Sequence, residues 1–233
     1  MAKLGNDYCG RNYEIGRIAA LVVTPAYANI DASMPAPTVD LFDQIVIALR
    51  AMDAEAQPVD GKPTGLWWYG GWARRDLKRP QTEVEWTRAL AQRLNCQREV
   101  PYPADPRKRC DLVAAGCWIE VKGLWPAYWE GLGKRSIYEA YLFDPLKPYP
   151  ALGKDHTAAR DVVKLRTLSA TDAPFVGLVL VGFDTVAAPC DADVAEFACL
   201  AGLGDWRHGH AAWPNVQRPG ETVQVWGWFE DRR

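Results

Sequence analysis

Three residues near the middle of this chain have side chains suited to metal-assisted chemistry: Asp111, Glu120 and Lys122. They stand in Cys110-Asp111-Leu112-Val113 and Trp118-Ile119-Glu120-Val121-Lys122-Gly123, two strand-like runs joined by the turn pair Ala115-Gly116. A strand sends successive side chains to opposite faces, so Glu120 and Lys122 point the same way. Two carboxylates and one ammonium therefore converge at the edge of a two-stranded ribbon. Carboxylate oxygens are the ligands a hard divalent cation prefers. A lysine beside them can orient or deprotonate a water. This is the equipment for metal-assisted hydrolysis of a phosphodiester.

The elements that must position these residues are legible in outline. Thr38 to about Gln57 reads as an amphipathic helix with Leu41, Ile45, Ala48, Leu49 and Met52 on one stripe. Pro58 to Arg79 is a Gly- and Trp-rich connector. A second helix follows Pro80, with Thr82 as N-cap and Glu85 completing a capping box. Trp86, Leu90 and Leu94 share a face of that helix with Glu83, while Glu85 lies almost opposite. Strands follow at Arg98–Tyr102, Lys108–Ala114 and Cys117–Lys122. Cys117, Ile119 and Val121 face one way; Trp118, Glu120 and Lys122 face the other. Residues 123–153 form a long interruption, with a short helix at Ser136–Phe143. Asp155 is read as the cap of a helix to about Ser169, Phe175–Phe183 as a buried strand, Asp191–Leu203 as a helix and Thr222–Phe229 as a last strand.

Composition sets bounds. The 233 residues, 48% hydrophobic and 24% charged, suit one large globular domain or a core with elaborations. A net charge of −2 gives no global basic field, but basic residues cluster at Arg74, Arg75, Lys78 and Arg79, at Arg107, Lys108 and Arg109, and at Lys134 with Arg135. Each cluster reads either as a solvated loop or as a phosphate contact. Eleven tryptophans serve burial first and base stacking second. Six cysteines without a C-x-x-C, and three histidines, make no zinc set. His208-Gly209-His210 is read as a loop rather than a metal site. No leader-like or membrane-length apolar run is present, so a cytoplasmic location is expected.

This order of elements, with the acids where they stand, resembles the PD-(D/E)xK nuclease superfamily over about residues 80 to 183. The motif matches as Asp111, eight intervening residues, then Glu120-Val121-Lys122. Cys110 replaces the proline that gives the motif its first letter. The resemblance implies an α/β protein with a restriction-endonuclease-like core, an αβββαβ unit whose mixed central sheet is flanked by helices, carrying N- and C-terminal elaborations. Residues 1–79 would be the N-terminal elaboration and 80–233 the nuclease core with an insertion at 123–153. It further implies Mg²⁺ or Mn²⁺ held by Asp111, Glu120 and the carbonyl of Val121. Lys122 would position the attacking water or stabilise the transition state, and Glu83 would hold a second metal or its water. Lys154, His156, Arg160 and Lys164 on the following helix would lie near the site or the nucleic acid.

The expected function is metal-dependent DNA endonuclease activity, in restriction or anti-phage defence, with RNA left open as substrate. Cutting a duplex with one such site takes a homodimer or two successive events. Two other readings stay open: a repair or recombination nuclease acting on structures or ends, and a non-catalytic binding module on the same fold.

Overall fold

Apolar periodicity becomes helices and strands largely where expected. In the computed structural model, residues 36–55, 83–124, 142, 157–185, 191–216 and 220–233 are described. Two helices, α1 (Ala36–Ala54) and α2 (Glu83–Leu94), precede three strands, β1 (Gln97–Tyr102), β2 (Asp105–Ala114) and β3 (Cys117–Leu124). Then come α3 (Ala158–Arg166), β4 (Phe175–Thr185), α4 (Asp191–Leu200), β5 (Arg207–Pro214) and β6 (Glu221–Asp231). The strands form one six-stranded mixed sheet in the order β1-β2-β3-β4-β6-β5, in which β3 and β4 are parallel and the other pairs antiparallel. The protein is thus α/β, with helices on both faces of the sheet.

The sheet separates two cores. On one face α1 and α2 lay Leu41, Phe42, Ile45, Leu49, Trp86 and Leu90 against Ile119, Val121, Val179 and Val225. On the other, α3 and α4 lay Val162, Leu165, Val194 and Phe197 against Trp118, Leu178, Leu180, Trp226 and Trp228. The continuous apolar run of β4 is what a strand buried on both sides requires. The stripe expected on α1 is buried throughout, and the helix packs on the core through its contacts with α2 and β6.

Three expectations need correction. The cap of α3 is Thr157, whose hydroxyl accepts from the Arg160 N–H, not Asp155. The helix ends at Arg166, short of Ser169. His208-Gly209-His210 is not a loop but the first half of the edge strand β5. A glycine inside a strand reads as a break, yet here it marks close approach: a Cβ at Gly209 would meet the Phe42 ring at 2.6 Å. Among the described residues no helix is long and apolar enough to cross a membrane.

Candidate active site

The hairpin that carries the motif closes through Ala115 and Gly116, both at positive φ (49° and 78°), the geometry of a tight two-residue turn. From there β2 and β3 pair through Ala114↔Cys117, Val113↔Trp118 and Leu112↔Ile119, where the recorded pairing stops. The backbone of β2 turns over at this point. Alternation would put Cys110 and Leu112 on one face, but Leu112 joins the core under α1 and α2 while Cys110 joins the opposite one. Asp111, between them, reaches toward β3: its Oδ2 accepts the Val121 N–H at 2.8 Å. A side-chain carboxylate thus takes a backbone donor just beyond the paired part of the ladder.

Glu120 and Lys122 do share a face, as alternation requires, but it is not a surface. Glu120 is 2% exposed and Lys122 7%. That excludes the weakly paired, solvated strand face that such a Glu-x-Lys makes in most proteins. Glu120 Oε1 accepts from the Tyr102 hydroxyl at 2.6 Å, and the Lys164 ammonium stands 3.7 Å from the same oxygen. Lys122 Nζ lies 3.4 Å from Asp161 Oδ2, and Lys164 Nζ lies 2.6 Å from Asp161 Oδ1.

Burial pushes the Glu120 carboxyl well above the ordinary range. The negative charges of Asp111 and Asp161 add to this, against the Lys164 ammonium and the Tyr102 hydroxyl. Burial likewise raises the Tyr102 phenol, reinforced by the charge of Glu120, so Tyr102 stays a donor. Cys110, at the motif's proline position, hydrogen-bonds through its thiol to the Leu112 and Ile119 carbonyls, each at 3.3 Å. Burial raises that thiol well above its usual value, with Glu120 and Asp111 adding to the shift, so it is no nucleophile.

The helix that brings Asp161 and Lys164 is fixed at both ends. Thr157 caps its start, and Arg232 donates to the Leu165 and Leu168 carbonyls at 3.1 Å each.

Asp161 and Tyr102 are the site residues that sequence reasoning missed. Asp161 left a signal: it shares the buried stripe of Ala158, Val162 and Leu165, where an acid has no reason to be unless it meets a partner. Tyr102 left none, because its hydroxyl reaches Glu120 from a strand that does not pair with β3, at a point where the β1–β2 register is irregular.

The remaining expected residues divide. Lys164 belongs to the buried cluster, whereas Arg160 on the same helix is exposed. Arg107, Lys108 and Arg109 are exposed on β2, with Arg107 and Lys108 paired to Asp105 at 3.1 and 3.8 Å and Arg109 donating to the Glu99 carbonyl. Glu83 opens α2, but its side chain lies outside the described residues, as do Arg74, Arg75, Lys78, Arg79, Lys134, Arg135, Lys154 and His156. Val121 contributes its N–H to Asp111, and its side chain is buried on the opposite face.

Among the described residues no group of three or more His, Cys, Asp or Glu side chains is arranged to hold an ion. Ammonium groups explain the spacing, since Lys164 stands between Glu120 and Asp161. The donor set nevertheless fits a hard cation. Glu120 and Asp161 face two ammonium groups, Asp161 Oδ2 is buried with the Lys122 ammonium at 3.4 Å but no hydrogen bond, and Mg²⁺ is commonly held by one or two carboxylates with waters and substrate completing its shell. No family model, curated protein or solved structure matches this chain.

Proposed function

We propose that the protein is a metal-dependent nuclease hydrolysing DNA phosphodiester bonds, acting in restriction or anti-phage defence, on a restriction-endonuclease-like core. One observation carries the reading: where the recorded β2–β3 pairing stops, Asp111 reaches over to β3 beside the buried Glu120 and Lys122. The reading is supported by the run α2-β1-β2-β3-α3-β4, with β1 to β4 adjacent in chain order and β3 parallel to β4, which has the αβββαβ order expected for this chemistry.

Mg²⁺ or Mn²⁺, once bound, supplies Lewis acidity at the phosphoryl oxygen and an activated nucleophile. Asp111 and Glu120 would hold it, with the Val121 carbonyl as a further oxygen and Glu83 serving a second ion or a water. Tyr102 fixes Glu120 through its hydroxyl, so the carboxylate need not reorganise on loading. Lys122, steadied against Asp161, orients the attacking water and offsets charge developing on the phosphoryl oxygens. Arg107, Lys108 and Arg109 lie on the same strand as Asp111 and supply candidate phosphate contacts.

The test is supercoiled plasmid incubated with Mg²⁺, with an EDTA control and a matched RNA substrate. Metal-dependent DNA cleavage that Lys122→Ala abolishes is expected; intact plasmid under every metal condition sinks the proposal. Discrete fragments favour restriction, and a ladder or end-trimming favours a repair nuclease.

One observation favours a different class. Glu120 and Asp161 already have partners in Tyr102, Lys122 and Lys164, as a purely structural polar network would have. A non-catalytic module would bind DNA in the same assay without cutting it.

A further inference from the structure

Asp161 answers two lysines with its two oxygens: Lys164 on Oδ1 at 2.6 Å and Lys122 on Oδ2 at 3.4 Å. Lys164 has a second anion in reach, Glu120 Oε1 at 3.7 Å. The side chains of Asp161, Glu120 and Lys122 are 1%, 2% and 9% exposed, whereas that of Lys164 is 21% exposed. Lys164 is therefore the member of this set with a route toward solvent, on a long stem that can swing while the helix stays capped. Its longer contact is to Glu120, a buried carboxylate on which an unneutralised charge is costly. A positive charge close to Glu120 competes directly with any cation that comes to the same oxygens.

We propose that Lys164 is a tethered counterion, anchored on Asp161 and lent to Glu120, which a divalent cation displaces from Glu120, and that Asp161 is the positioning residue keeping Lys164 and Lys122 beside the site. This inference rests on the nuclease reading. On cation entry Lys164 keeps its shorter bond to Asp161 and swings its exposed side toward the incoming phosphodiester. The site thus stays neutralised without metal and gains a phosphate contact with it.

The experiment is Mn²⁺ titration of the full-length protein without DNA, followed by calorimetry, on wild type, Lys164→Met, Lys164→Arg and Asp161→Asn, with circular dichroism to verify folding. Lys164→Met is expected to bind Mn²⁺ roughly tenfold more tightly, because the competing charge is gone. Lys164→Arg should retain wild-type affinity. Asp161→Asn should bind more weakly, since Lys164 then has only Glu120 to answer, and its single-turnover cleavage should fall by roughly 100-fold as Lys122 loses its anchor. Should Lys164→Met not fold, Lys164→Gln makes the same comparison.

Unchanged or weaker Mn²⁺ binding in a folded, charge-removed variant overturns the counterion assignment and leaves the nuclease reading standing. Wild-type cleavage in Asp161→Asn overturns the positioning role. Absence of both Mn²⁺ binding and cleavage in wild type sinks the nuclease reading, and the inference with it.

Discussion

The two faces of the central sheet solve the same packing problem with opposite chemistry. Under α1 and α2 the contact is mostly apolar, with Asp53 buried near the end of α1 where it accepts from Trp213 Nε1 and the Val216 N–H, and it is tight enough that Phe42 lies against Gly209 and Gly227, where a Cβ would come within 2.6 Å of its ring. Under α3 and α4 the same strands present Trp118, Leu178 and Leu180, but also Glu120 and Lys122, answered from α3 by Asp161 and Lys164. Ion pairs buried this deeply are a poor source of stability, because desolvation consumes most of the attraction between them. A fold that already has one dry, well-packed face does not need charges in the other to hold together. Under the nuclease proposal the first face carries stability and the second the chemistry, and substitutions on each should separate the two.

The largest expected effect lies on the charged face. Asp111→Asn keeps an oxygen to accept the Val121 N–H but removes the charge that would hold a cation. Cleavage should fall by about a thousandfold or more, with the thermal midpoint unchanged within a degree or two. Comparable loss is expected for Lys122→Ala. A thermal scan beside a cleavage time course reads both quantities. Substantial activity in Asp111→Asn would move the chemistry away from this face.

The mirror experiment is Phe42→Ala. The ring is 7% exposed and meets Phe229 edge-on at 6.2 Å between centroids. Its loss leaves a cavity against two glycines that have no side chain to fill it, at a cost of about 3–5 kcal/mol. For a chain of this size that lowers the midpoint by about 10 °C. Cleavage measured well below that midpoint should stay within about twofold of wild type, since a cavity at this distance couples weakly to the site. A variant that melts early and also fails to cut while folded would show that the two faces are not separable.

Glu120 gives a smaller and pH-dependent effect. Burial and the charges of Asp111 and Asp161 raise its carboxyl above the ordinary 4.5. The native state therefore holds this proton more tightly than the unfolded chain does. Stability is fully present below the unfolded value and declines as pH rises through the raised one. Glu120→Gln, which can still accept from Tyr102, removes that decline. In EDTA it should melt a few degrees above wild type at pH 8 and together with it at pH 4. Added Mg²⁺ should raise the wild-type midpoint and leave the variant alone. Superimposable melting curves at pH 8 in EDTA would mean that the cluster already satisfies the Glu120 charge.

What the sequence disclosed of this site follows from the range of each interaction. Glu120 and Lys122 were legible because strand alternation is local, and Asp111 because a hairpin with Ala115-Gly116 at its turn fixes which residues can face β3. Asp161 is legible in principle as an acid on a buried helical stripe, but the apolar residues around it give that stripe the pattern of an ordinary packing face. Tyr102 was not recoverable, since its hydroxyl reaches Glu120 from a strand that does not pair with β3, at a point where the β1–β2 register is irregular. The fold shows the same division. Strand β4 announces itself by a continuous apolar run, whereas the start of β5 at His208-Gly209-His210 reads as a loop because a glycine inside a strand looks like a break. Gly209 is there for the Phe42 ring, a contact made across 167 residues of chain.

The smallest effect tests where nucleic acid meets the charged face. Arg107 is 92% exposed and shares Asp105 with Lys108. A pair in that setting adds almost nothing to stability, because water screens it and both side chains must be held still to make it. Arg107→Ala should therefore leave the thermal midpoint where it was. If the segment leading to Asp111 lies along a phosphate backbone, the same change removes one counterion-releasing contact, and the plot of log affinity against log salt becomes shallower by about 0.9. Cleavage at saturating DNA should not change, since Arg107 touches none of the residues around Glu120. The loss of Arg107 also leaves Asp105 facing solvent with only Lys108 beside it, which weakens binding by repulsion without altering the number of ions released. The slope, not the affinity alone, is therefore the quantity to measure. A reduced affinity at constant slope would show that the phosphate track does not follow β2 and enters the site from another side.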